Sequence, residues 1–168
     1  WDPMTKYLLR KGFEVQELLD AGLSSMGKRG PIDKFRGRLI WPIKDTASNV
    51  IGFGARKLFD DDPLGKYINT QDTLLYHKSK VLFGIDKAKK NIAEKHQPVV
   101  AEGYTAVMAM HAAGVATAVA TCGTAFGGDH MSLIRRLMLD DSFFRGELIY
   151  TFDGDEAGRK AAMRAFET

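Results

Sequence analysis

Three carboxylates stand where a metal-dependent reaction on phosphates could use them. Glu102 closes the apolar run 98–101 in Ala101-Glu102-Gly103-Tyr104, and Asp153 and Asp155 close the run 147–152 in Phe152-Asp153-Gly154-Asp155. Such runs read as buried strands, and ligands of open α/β sheets bind beyond the carboxyl ends of the strands. Acids placed there project from one edge of the sheet and can converge. Oxygen donors in twos and threes, without nitrogen or sulfur, suit Mg²⁺ or Mn²⁺ better than zinc. An ion held by few carboxylates keeps positions open for phosphate oxygens. Each feature also has a plainer reading. Asp-Gly is a common turn pair, Asp155 is a sound N-cap for a helix beginning at Glu156, and Glu102 reads equally as a solvated loop acid. The glycine-rich run 121–128, which follows a second apolar run, offers backbone N–H groups to a phosphate or is turn chemistry alone.

The elements that must hold these acids alternate regularly. From residue 97 onward, strands are expected at 98–101, 115–121 and 147–152, and helices at 104–114, 129–140 and 156–167, with Asp129 capping the second helix. Three strand–helix steps with short connections predict a parallel sheet with right-handed crossovers. The first part of the chain is less regular. Asp2-Pro3 marks a helix start with Asp2 as the cap, and a second short helix is expected at 15–21. The stretch 24–31 reads as a polar linker. Runs 38–43 and 49–58 flank Asp45-Thr46-Ala47-Ser48 as a hairpin, with Gly52 and Gly54 hinting at a bulge or a close backbone approach. Residues 66–84 carry no clear period, and 85–95 reads as a helix with Ile85, Ala88, Ile92 and Ala93 on one side. The expected fold is α/β: a basic, mixed α+β subdomain at 1–96, then a parallel-sheet α/β domain at 97–168.

Charge follows the same division. The net charge of +3 conceals a balance of +6 over residues 1–96 and −3 over 97–168. Within 28–57, eight basic residues are opposed only by Asp33 and Asp45. A stretch of this kind holds a polyanion by releasing condensed counterions, or is a solvated face. The composition, 45% hydrophobic and 27% charged, is globular rather than disordered. One cysteine excludes an internal disulfide framework, and Cys122 reads as a small core residue. The four histidines show no metal-binding spacing. Met108, Met110, Met131, Met138 and Met163 read as core filler on helices. No apolar run is long enough to span a bilayer and the first residues form no signal peptide, so a cytoplasmic, membrane-free location is expected. The start at Trp1 reads as that of an excised fragment.

Six segments together resemble a known family. DKFRGRLIWPI (33–43), VIGFGAR (50–56), KYINTQDT (66–73), HKSKVLFGI (77–85), VVAEGY (99–104) and TFDGDEAGRKAA (151–162) look like the RNA-polymerase core of bacterial DnaG-type primases, in the family's order. The part from 97 onward is by itself similar to the Toprim fold, which topoisomerases and some nucleases share. The resemblance implies a basic subdomain with a Toprim domain and a function in synthesising short RNA primers on single-stranded DNA. It implies that Glu102, Asp153 and Asp155 are catalytic and surround Mg²⁺ or Mn²⁺. It further implies that Arg36, Arg38, Arg56, Lys66, Lys78 and Lys80 line a groove for nucleotide and DNA, with Tyr67 and Asn69 in the same motif as Lys66. Ribonucleoside triphosphates, a single-stranded DNA template and a replicative helicase are the implied partners, the helicase through a region this chain lacks.

The sequence departs from the family pattern in two places. The pattern reads Glu-Gly-Tyr-x-Asp, whereas Ala106 stands where the aspartate is expected. A further pair of acids, an upstream zinc module and the helicase-binding region lie outside these residues. A Toprim-type binding module without turnover, or a Toprim nuclease or topoisomerase, therefore remain alternatives. No tyrosine lies in a recognisable nucleophile context, which disfavours the topoisomerase.

Overall fold

The computed structural model describes residues 1–138, 146–152, 154 and 156–166. Contacts divide the chain into two compact units, Trp1–Pro42 with Ile51–His77, and Ile43–Val50 with Lys78–Thr168.

Helix α1 (Pro3–Arg10) opens the first unit, with proline at its start where no backbone donor is needed. The expected cap, Asp2, makes no side-chain cap bond and pairs with Lys6 at 3.2 Å instead. The donors at the helix start go to Asp33, which accepts from Met4 N at 3.0 Å, Thr5 N at 2.8 Å and Thr5 Oγ1 at 2.7 Å. A buried carboxylate satisfies these donors where no local residue reaches them. Helix α2 (Val15–Asp20) is closed at its start by Glu17 Oε2, which accepts from Glu14 N at 2.7 Å.

The expected linker at 24–31 is largely a hairpin. Strands β1 (Ser24–Gly27) and β2 (Gly30–Asp33) pair antiparallel, with Gly27 opposite Gly30 and Ser24 opposite Asp33. Gly30 takes a φ of 123°, and the run has few β-branched residues to announce a strand. Strands β3 (Arg38–Lys44), β4 (Val50–Lys57) and β5 (Tyr67–Asn69) form a second sheet in that order. Gly52 allows a close approach, because a Cβ there would lie 3.1 Å from the buried Tyr76 ring. The β3–β4 turn rests on Asp45 Oδ1, which accepts from Ala47 N at 2.8 Å and Asn49 N at 2.9 Å.

The second unit is layered. Its remaining elements are β6 (Leu82–Phe83), α3 (Ile85–Lys95), β7 (Val99–Ala101), α4 (Tyr104–Ala112), β8 (Ala118–Thr121), α5 (Gly128–Met138), β9 (Ile149–Thr151) and α6 (Glu156–Phe166). The sheet order is β6-β8-β7-β9, with β7 parallel to both neighbours and β6 added antiparallel at the edge. The three expected parallel strands are present, and β6 falls in the stretch without a clear period. Two residues are too few to show one.

Strand alternation sorts the core into two faces. Val100 and Val119 pack with Ile85, Ala88 and Ile92 of α3 and Ile134 and Met138 of α5. Val99, Ala101, Ala118 and Ala120 face Val107 of α4, and the small alanines let that helix lie close. Cys122 is buried, and so is Met138, with Met110 and Met131 partly so. Met108 and Met163 are exposed, against expectation; α4 is apolar on every side, so Met108 is left facing solvent. Among the described residues no helix is long and apolar enough to cross a membrane.

Candidate metal and nucleic-acid site

The sheet register decides what the acids can do together. Strands β7 and β9 are parallel neighbours with Ala101 opposite Thr151, so both chains leave the sheet side by side at its carboxyl edge. Glu102 is the first residue beyond β7 and is exposed. Its carboxylate, an oxygen donor open to solvent, suits a hard divalent cation. Asp153 and Asp155 lie outside the described residues, and among the described residues no three His, Cys, Asp or Glu side chains converge. Ala106 sits on α4, one turn past Glu102, partly buried against the apolar cluster of that helix.

The glycine-rich loop after β8 is built for its own closure. Thr121 Oγ1 donates to Thr124 O at 2.6 Å, and Gly123 takes a φ of 75°. Gly127 N donates to His130 Nδ1 at 3.2 Å, so one amide of the expected phosphate cradle is already used.

The basic candidates separate into distinct groups. Arg56, Tyr67 and Asn69 share one face of the β4–β5 pair, because Arg56 stands opposite Tyr67 and Gly54 opposite Asn69. Arg56 and Tyr67 are exposed, and Lys66 beside them is exposed too. That face offers one cation, an aromatic ring and an amide, with Lys66 at its entrance, a set suited to a phosphate backbone and an unstacked base. Arg36 is half-buried, with Nη1 donating to Asp33 O and its guanidinium 4.9 Å from the Trp1 ring centroid.

Arg38 differs from the rest. Its side chain is 1% exposed, pairs with Asp62 at 2.5 Å and donates to Gly65 O at 3.0 Å. Its charge is spent within the unit. The Leu64 amide holds the Asp62 carboxyl below the ordinary range, and the Arg38 guanidinium adds to this. A cavity of 610 Å³ in this unit is lined by Lys34 and Arg36 but also by Asp33, Asp61 and Asp62, so its signs are mixed. Lys78 and Lys80 are exposed and belong to the second unit.

Comparison with known proteins settles the family. Residues 1–89 match the DNA primase catalytic core, N-terminal domain, and residues 97–168 match the Toprim domain. The chain belongs to the DnaG-type DNA primases. It is 67% identical to the DNA primase of Mycobacterium tuberculosis over 99% of its own length, and it spans 26% of that relative. The crystal structure of the RNA polymerase domain of Mycobacterium tuberculosis primase DnaG superposes with a TM-score of 0.94 at 66% identity, covering 100% of this chain and 55% of that one. The same domain in complex with a double-stranded DNA oligomer bearing a 6-nucleotide overhang gives 0.92 at 66% identity, covering 100% and 53%. Strands β7, β8 and β9 with α4, α5 and α6 thus fall within the Toprim match, and the edge strand β6 falls within the match to the N-terminal domain.

Sequence reasoning overlooked Asp33, Asp62 and His130 as organising residues. Each acts on a partner between 24 and 52 positions away in the chain. No local pattern could have shown it.

Proposed function

We propose that this chain contributes to RNA primer synthesis on single-stranded DNA, as the part of a DnaG-type primase that holds divalent metal and nucleotide. The 1–96 and 97–168 division is kept as its domain organisation. The observation that carries the reading is the β7–β9 register, which sets the Glu102 strand end beside the strand leading to Asp153 and Asp155.

Glu102, Asp153 and Asp155 would hold Mg²⁺ or Mn²⁺. Such an ion, when bound, polarises phosphate oxygens and lowers the pKa of a bound hydroxyl. The chain's own residues supply position and charge. Arg56 and Lys66 neutralise backbone phosphates, Tyr67 offers a stacking face, and Asn69 offers an amide. Lys78 and Lys80 draw the triphosphate or template phosphates to the Toprim unit. Arg36 contributes through the guanidinium surface that its contact with Asp33 leaves open. Arg38 orders the first unit rather than contacting substrate. In-line attack of a ribose 3′-hydroxyl on the α-phosphorus of the next ribonucleotide, with pyrophosphate leaving, needs such positioning more than covalent help. A replicative helicase would be met through regions beyond this chain.

Ala106 favours a second reading. With one acid fewer near the edge, the chain would bind single-stranded DNA without turnover. Incubation with a single-stranded template, ribonucleoside triphosphates and Mn²⁺ separates the two. Incorporation that falls by about a hundredfold or more in E102Q supports the first. Binding of template without incorporation supports the second, and absence of both removes the functional reading.

A further inference from the structure

His130 is 1% exposed, and both of its ring nitrogens are used. The Gly127 amide, which can only donate, lies 3.2 Å from Nδ1, and the Lys78 carbonyl, which can only accept, lies 3.1 Å from Nε2. These two partners fix the neutral tautomer with its proton on Nε2. Burial pushes the imidazole below its ordinary range, opposed by the backbone of Lys78 and Val81 and by the Asp129 carboxylate. The Phe126 ring lies against it, with centroids 5.5 Å apart.

The first turn of α5 thereby joins two separate pieces of chain. One is the end of the glycine-rich loop at Gly127. The other is the Lys78–Lys80 segment, which Ser79 Oγ also ties to Asp129 Oδ2 at 3.4 Å. These pieces meet again at their far ends, where Leu82 of β6 stands opposite Thr121 of β8. The β6–β8 ladder closes one side of this ring of chain and His130 closes the other. The Gly127 amide and the Lys78 carbonyl are both partly shielded where they meet the ring, and an apolar side chain at this position would remove the partner that His130 gives each.

We propose that His130 is a positioning residue: its Nε2–H tautomer locks the loop 121–128 to the Lys78–Lys80 segment and so fixes where those two lysines meet phosphate. The proposal deepens the reading above and rests on it. His130 touches no substrate and acts through the backbone of Lys78. Three substitutions divide its contributions. Phenylalanine keeps the ring and loses both hydrogen bonds, H130N keeps an acceptor near Nδ1, and H130Q keeps a donor near Nε2.

The experiment measures affinity for a fluorescein-labelled oligothymidylate, after circular dichroism confirms that each variant is folded. H130F is expected to bind about tenfold more weakly, with H130Q recovering most of the loss. In a K78A/K80A background the same H130F substitution should change affinity by less than about twofold, because its effect runs through those lysines. Nitrogen-15 spectra should show the Nε2–H tautomer, and Gly127 amide exchange should quicken in H130F and H130Q but not in H130N. An undiminished H130F effect without the lysines overturns the proposal, as does unchanged affinity in H130F when its Gly127 exchange has quickened. If H130F is unfolded, H130Q against H130N decides the same point. An unsubstituted chain that fails to bind the oligothymidylate defeats the functional reading itself, while tautomer and exchange still report whether His130 joins loop to segment.

Discussion

Cut at Gln97, the chain carries +6 on one side and −3 on the other; cut by packing, its two units carry +2 and +1. The difference lies mainly in seven basic residues, Lys44, Lys78, Lys80, Lys87, Lys89, Lys90 and Lys95, which belong to the second unit although they precede its first parallel strand. Charge along the sequence is therefore a poor guide to charge on a folded surface. The units also cohere by different means. The second unit buries apolar side chains on both faces of a sheet. In the first unit, Thr5, Ser24, Asp33, Arg38 and Thr70 are buried beside Leu18, Trp41, Ala55 and Tyr76, while Phe13, Leu58, Phe59, Leu74 and Leu75 lie exposed.

The strongest way to test this contrast is to open a cavity in the layered core. Ile134 is 0% exposed between sheet and helix. Ile134→Ala should cost about 3–4 kcal/mol, read from the shift of the urea midpoint. A loss below about 1 kcal/mol would mean that the α5 layer is loosely packed and that the contrast is overstated.

In the first unit a polar substitution should act almost as strongly. Asp33→Ala removes the acceptor of three hydrogen bonds and should cost about 2–3 kcal/mol, with Asp33→Asn recovering part. The same carboxylate predicts a pH dependence. Burial raises its pKa, but hydrogen bonds from Thr5 and Met4 outweigh that and leave it below the ordinary value of 3.8. A depressed carboxylate stabilises above its unfolded value, and that stability is lost as pH falls through the folded value. Acid titration should therefore lower the melting temperature of the wild type below about pH 4 more steeply than that of Asp33→Asn. Parallel curves would remove Asp33 from this role.

These two residues also show what could be read in advance. Ile134 belongs to an apolar period, and period is a local property of sequence, so the strands and helices from Val99 onward were legible. Asp33 works through Thr5, 28 positions earlier, and no window of sequence contains both. The same limit hid the β1–β2 hairpin, whose signal is a turn between two glycines rather than a run of β-branched residues. Glu102 was legible because its place depends only on ending a strand. Its neighbour across the sheet was not, since strand order is a tertiary fact.

A smaller effect is expected from the Arg38–Asp62 pair. Asp62→Ala alone leaves a buried guanidinium without its counter-charge and should lower the melting temperature. Arg38→Met in the same chain should restore most of it, because an apolar stem then fills the space without a charge to compensate. A double variant no more stable than Asp62→Ala would show that Arg38 contributes chiefly through its bond to Gly65 O.

The smallest effect separates structural from binding cations within one unit. Arg56 and Lys66 are exposed beside Tyr67, so replacing either with alanine should leave the melting temperature within about 1 °C. Each should nevertheless reduce the salt dependence of single-stranded DNA binding by about 0.7 in the slope of log K against log salt, the value for one released phosphate contact. In the Arg38→Met, Asp62→Ala background the slope should stay unchanged, because that charge faces its own carboxylate and no phosphate. A slope that falls there as much as in Arg56→Ala would place Arg38 at the nucleic acid after all. The buried pair would then be an arrangement of the unliganded chain that DNA opens.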